Sequence, residues 1–131
     1  KNVVTQSGSS AYTALTNEED NDENLALAAT FASLQAVPDY NTAFANLDSG
    51  LVDAIAVDVG IANYQLASRN DDSLTILEEP LSTEQYAIGF KLGNTELRDQ
   101  VQDALNQLVD NGTFSQLAEK YDLQDMVCIG K

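Results

Sequence analysis

Short apolar runs recur along this sequence, and segments with helical spacing lie between them. That alternation constrains the fold more than any other feature. Val3-Val4, within residues 1–5, is a short β-branched pair, and residues 33–37 form a second short run stopped by Pro38. Ala54-Ile55-Ala56-Val57 is continuously apolar, as expected of a strand covered on both faces. Helices are predicted between these runs over 11–15, 25–31, 40–47 and 58–67. Strands that alternate with helices indicate an α/β fold with a central, mostly parallel sheet flanked by helices.

Local signals refine that outline. Asn41 is the expected N-cap of the helix over 40–47, and Gly50 sits at its C-cap. Residues 74–77 read as a further strand closed by Glu78-Glu79-Pro80. Tyr86, Ile88 and Phe90 alternate along an extended segment over 85–92. Two helices finish the chain: Leu97, Val101, Leu105 and Leu108 form one stripe over 95–109, and Phe114, Leu117, Ala118 and Tyr121 another over 113–121. Asn111-Gly112-Thr113 matches a glycosylation sequon formally, but a glycine-assisted helix stop is the reading adopted. No internal repeat is visible.

Charge and composition exclude several functions. Of the 131 residues, 21 are acidic and six basic, for a net charge of -15. Such a surface repels a phosphate backbone and anionic membranes, so neither nucleic acid nor a membrane is an expected partner. The chain contains no histidine and a single cysteine, Cys128. Ser-His and Cys-His nucleophiles, His-ligated zinc and an internal disulfide are therefore excluded, and no metal or cofactor is expected. No apolar run approaches a membrane span, and the first residues do not read as a signal peptide.

In open α/β sheets ligands sit beyond the carboxyl ends of the strands, and two polar groups occupy such positions here. The first is the turn Ser7-Gly8-Ser9-Ser10, whose backbone N–H groups and hydroxyls suit a small anion such as a carboxylate. The second is Asp58, a carboxylate directly after an apolar strand and suited to a cationic group. Helix capping alone accounts for each in isolation. Together they fit the zwitterionic end of an α-amino acid. Asp53 and Asp58 differ by an odd number of residues, which places them on opposite faces of a straight strand and argues against an acid/base pair. The acidic run with Asp20, Asp22 and Glu23 lacks the order of a calcium loop and reads as a solvated loop. Tyr12, Tyr40 and Tyr64 read as core or rim residues.

The order of these motifs resembles a known family. Val4-Thr5-Gln6-Ser7-Gly8-Ser9-Ser10-Ala11-Tyr12 resembles the opening of the second lobe in solute-binding proteins of polar-amino-acid ABC importers. Leu47-Asp48-Ser49-Gly50-Leu51-Val52-Asp53-Ala54, running into Val57-Asp58, is similar to that family's helix, glycine, strand and ligand-binding aspartate. Residues 84–91 and 93–97 resemble its return strand and the helix after it. Residues 108–112, Thr113, Phe114 and Glu119-Lys120-Tyr121 resemble its closing helix pair.

The resemblance implies a type II periplasmic-binding-protein lobe followed by two C-terminal helices, in a non-enzymatic protein that holds an amino acid between two lobes for import. It implies that the Ser7, Gly8, Ser9 and Ser10 turn binds the ligand carboxylate and that Asp58 binds its ammonium. Residues 1–85 would be the ligand-binding lobe. Residues 86–92 would be a hinge and return strand, with Tyr86, Ala87, Ile88 and Gly89 as hinge residues. Residues 93–131 would be helices of an incomplete first lobe, so the chain is expected to be a partial protein. ABC permease subunits would be partners, on the outer side of a bacterial cytoplasmic membrane. The alternatives are a ligand-sensing receptor domain of the same fold and a prephenate-dehydratase-like enzyme. The stripe from Leu97 to Leu108 would need cover, either from the same lobe or from a second copy through self-association or a segment-swapped dimer.

Overall fold

A computed structural model describes residues 1–17, 22–69 and 73–129. The chain folds as two compact units, Lys1–Thr83 and Glu84–Lys131.

The first unit runs β1 (Asn2–Gln6), α1 (Ser10–Thr16), α2 (Asp22–Ala29), β2 (Ser33–Val37), α3 (Tyr40–Asp48), β3 (Ala54–Ala56) and α4 (Val59–Arg69). Its strands form a parallel sheet in the order β2-β1-β3, with Val3 opposite Leu34 and Ala54, and Thr5 opposite Ala36 and Ala56. Successive residues of β1 point to opposite faces. Val3 meets Leu15, Ala11 and Ala28 from α1 and α2, together with Ala56, Phe31 and Leu34. Val4 meets Ala43, Tyr40 and Leu47 from α3, together with Val52 and Ile55. Helices thus cover both faces of the sheet, and the β-branched pair that announced the strand is its centre. This is the α/β lobe with a parallel sheet that the motif series implied.

Two local readings are corrected. Asp39, not Asn41, caps α3: its Oδ1 accepts the Thr42 N–H at 2.8 Å from an extended backbone. The cap must be the last non-helical residue, and Asn41 already lies inside the first turn. Residues 74–77 form no strand, because no ladder partner meets them among the described residues; propensity cannot supply one. The chain there is tied down farther along, where Asn24 Nδ2 donates to the Leu81 carbonyl at 2.7 Å and Leu81 packs on the Val3 cluster. Residues 18–21, with Asp20 of the acidic run, lie outside the described residues.

The second unit consists of an extended segment, α5 (Thr95–Asp110), α6 (Thr113–Lys120) and a 3₁₀ turn at Gln124–Met126. Residues 85–92 join no β-ladder among the described residues. The helices break where Gly112 takes φ 77°, a left-handed conformation that glycine adopts without steric cost. Asn111 Oδ1 accepts the Thr113 N–H at 2.9 Å at that break, so the sequon asparagine serves as a turn residue. Among the described residues no helix is long and apolar enough to cross a membrane.

Candidate functional site

The sheet order decides where a ligand could sit. From β1 the chain turns toward the face carrying α1 and α2. From β3 it enters α4, whose Arg69 lies over the Phe44 ring of α3 at 5.2 Å and pairs with Asp48. Connections that leave neighbouring strands for opposite faces open a crevice at their carboxyl ends, the switch point where α/β sheets hold ligands. The register opposes Thr5 and Ala56, so the chain reaches Ser7 and Asp58 after equal steps along adjacent strands. The structure therefore brings the serine turn and Asp58 to one edge of one sheet.

The serine turn is tightly organised. Ser7 N–H donates to the Val37 carbonyl at 2.8 Å, extending the β1–β2 pairing, and Ser9 N–H donates back to Gln6 at 3.2 Å. That closes a β-turn whose third residue, Gly8, has φ 72°, and a Cβ there would strain the backbone although nothing lies within 4 Å. Ser9 is the N-cap of α1, its Oγ accepting the Tyr12 N–H at 3.1 Å. Ser7, Gly8 and Ser10 are exposed and Ser9 is half-buried. Beneath the turn, Thr5 is completely buried, with its Oγ1 3.3 Å from Ser9 Oγ. Sequence reading passed over Thr5, because a threonine in a strand reads only as a β-former.

Asp58 Oδ1 accepts the N–H groups of Gly60 at 2.9 Å and Ile61 at 3.3 Å, capping α4. A carboxylate at that position serves as a helix cap and lies at the strand end where a cationic group could be met. Asp53 plays no part at this edge. It lies before β3 at the opposite end, accepting from Asn2 N–H at 2.6 Å and Lys1 Nζ at 3.2 Å. Its carboxyl is held below the usual carboxylate range, first by the Asn2 N–H and then by the Lys1 ammonium. Tyr40 packs on the Val4 cluster, and Tyr64 is exposed on α4.

The remaining candidates lie in the second unit. Tyr86, Ala87 and Ile88 line an open groove of about 610 Å³, together with Phe90, Val101 and Leu105. Gly89 is exposed beside it. Cys128 is exposed and free. Among the described residues no cluster of three or more His, Cys, Asp or Glu side chains could hold a metal ion.

A parallel α/β lobe with hydroxyls, a glycine turn and a carboxylate at one switch point has the form of a small-molecule binding lobe. Comparison with known proteins agrees with that form. Over 83 residues the chain is 31% identical to the L-cystine-binding protein TcyJ of Escherichia coli, covering 63% of this chain and 31% of the relative. Over 103 residues it is 27% identical to the ABC transporter glutamine-binding protein GlnH of Bacillus subtilis, covering 79% of this chain and 37% of the relative. It is also 30% identical over 100 residues to the glutamate-binding protein GluB of Corynebacterium glutamicum, covering 73% and 34%. The chain is a distant homologue of these polar-amino-acid solute-binding proteins, and it spans about a third of their length. No family model and no solved structure matches it.

Proposed function

We propose that this chain is the ligand-holding lobe, with a C-terminal helix pair, of an amino-acid-binding subunit of an ABC importer. The Ser7–Ser10 turn holds the α-carboxylate through its hydroxyls and amides, and Asp58 holds the α-ammonium. The observation that carries this reading is the meeting of the turn and Asp58 at adjacent strand ends across the β1/β3 switch point. One group suits an anion and the other a cation, at the polarity and spacing of neighbouring strands. The reading is further supported by relatives named as binders of L-cystine, glutamine and glutamate.

In the whole protein the segment with Tyr86, Ala87, Ile88 and Gly89 acts as a hinge, and the groove beside it receives further chain of a first lobe. The partners are an amino acid and the permease subunits of the importer, on the outer side of a bacterial cytoplasmic membrane. Without that cover, the stripe of Leu97, Val101, Leu105 and Leu108, none of it buried, is open to pairing with another copy.

Calorimetric titration of the full-length chain with L-cystine, L-glutamine and L-glutamate, then with the other amino acids, tests the reading. Saturable binding of one or more is expected. Absence of binding to any of them would remove the proposed function.

A further inference from the structure

Thr5 is completely buried, and its hydroxyl has one hydrogen-bonding neighbour among the described residues, Ser9 Oγ at 3.3 Å. By distance alone either oxygen could donate. Burial separates the two arrangements. A hydroxyl carries a single proton, and a buried donor left unmade costs far more than a made bond returns. If Ser9 donated to Thr5, the Thr5 proton would be stranded in a site that water does not reach. If Thr5 donates, its proton is satisfied. Ser9 Oγ then accepts twice, from Thr5 O–H and from Tyr12 N–H at 3.1 Å, which fills both of its lone-pair directions. The remaining direction on Ser9 Oγ carries its own proton, which points away from Thr5 and Tyr12 and meets no acceptor among the described residues, on a residue that is only half-buried.

We infer that Thr5 is a positioning residue that fixes Ser9 as a hydrogen-bond donor toward the ligand carboxylate. This inference rests on the amino-acid-binding reading and specifies how its anion end is set. Two consequences follow. The Ser9 hydroxyl donates to an anion without first reorienting, and accepting from Thr5 polarises its own O–H, since chained hydrogen bonds strengthen one another. Thr5 itself touches no ligand. Its effect passes entirely through Ser9.

The test combines binding with melting of the full-length chain. Thr5→Val preserves shape and removes the donor, and Thr5→Ser restores it. With L-cystine, L-glutamine or L-glutamate, whichever the unaltered chain binds, Thr5→Val is expected to weaken affinity about three- to tenfold. Thr5→Ser should stay near the unaltered value. On a Ser9→Ala background, Thr5→Val should cause no additional loss, because the two act as one unit. Equal affinity for Thr5→Val, or a further loss on the Ser9→Ala background, overturns the inference.

Melting without ligand tests the proton direction separately. If Thr5 donates, Thr5→Val loses a made buried bond and should melt lower than the unaltered chain; if its proton were stranded, Thr5→Val would melt as high or higher. A Thr5→Val chain that melts as high or higher overturns the assigned direction. Should the unaltered chain bind no amino acid while the melts follow the expected order, the amino-acid-binding reading fails and the proton direction stands.

Discussion

Asp53 Oδ2 accepts the Asn2 backbone N–H at 2.6 Å, which fastens the amino-terminal end of β1 to the approach into β3. Lys1 Nζ adds a second contact to the same carboxylate at 3.2 Å, and Asp53 N–H returns a bond to the Asn2 carbonyl at 2.8 Å. The sheet is thus closed by charge and hydrogen bonds at one edge, while its opposite edge carries the groups proposed to bind ligand.

Acid should loosen this closure in a defined direction. The folded pKa of Asp53 lies below its ordinary value of 3.8, so folding favours the carboxylate. Its contribution is complete above that ordinary value and is lost as pH falls through the lower, folded value. Thermal melts of the unaltered chain and Asp53→Asn between about pH 2 and pH 6 should therefore differ most near neutrality and converge toward the acid end. A difference that grows on acidification contradicts the assignment.

Arg69 joins the last turn of α4 to α3 through Asp48 and the Phe44 ring. Its side chain is mostly buried, whereas that of Asp48 is half exposed, so the contact with the buried ring should outweigh the ion pair. Urea unfolding is expected to show a loss of about 1–2 kcal/mol for Arg69→Ala and under about 1 kcal/mol for Asp48→Ala. Equal losses would mean that the ion pair, not the ring, holds the helices together.

Asp58 caps α4 and is proposed to hold the ligand ammonium, and two substitutions separate these roles. Asparagine caps a helix about as well as aspartate but carries no charge. Asp58→Asn should therefore leave the melting temperature nearly unchanged while weakening amino-acid binding by roughly one to two decades, or about 1.5–3 kcal/mol. Asp58→Ala should show that affinity loss together with about 1 kcal/mol of lost stability. Calorimetry paired with melting curves reads both. Undiminished affinity in Asp58→Asn takes the aspartate out of the site and leaves only the cap.

The sheet was legible because Val3-Val4 and Ala54-Ile55-Ala56-Val57 put apolar side chains on both faces, which calls for helices between them, although Ala54 itself stays exposed. Asp58 was legible for a related reason: a charge directly after such a run must fall at a strand end. What escaped depends on partners distant in sequence. Thr5 matters because the Gly8 turn folds Ser9 back over it, and no local pattern announces that return. Asp39 was missed because Asn41 is an equally good capping residue type, and one residue in the start of a helix decides which of them caps it. The expected strand over 74–77 failed because Ile76 and Leu77 have the propensity but meet no edge to pair with among the described residues. The grip of Arg69 on Phe44 is likewise tertiary and invisible to periodicity.

The same logic separates the two units in stability. Val3, Val4 and Thr5 of β1 are all buried, and opening their amides requires disrupting the sheet and both covering layers. No residue of α5 is buried, although Leu97, Val101, Leu105 and Leu108 share a stripe. A helix of that length gains little from propensity alone and needs a packed face to persist. Hydrogen exchange should therefore show the β1 amides as the slowest in the chain, with α5 amides exchanging through local opening that leaves β1 closed. Denaturant should release the helical signal of Thr95–Asp110 before the sheet unfolds, in two steps rather than one. Equal protection of α5 and β1, with a single transition at every concentration, would show that the α5 stripe is covered in solution. Protection that rises with chain concentration would identify the cover as another copy.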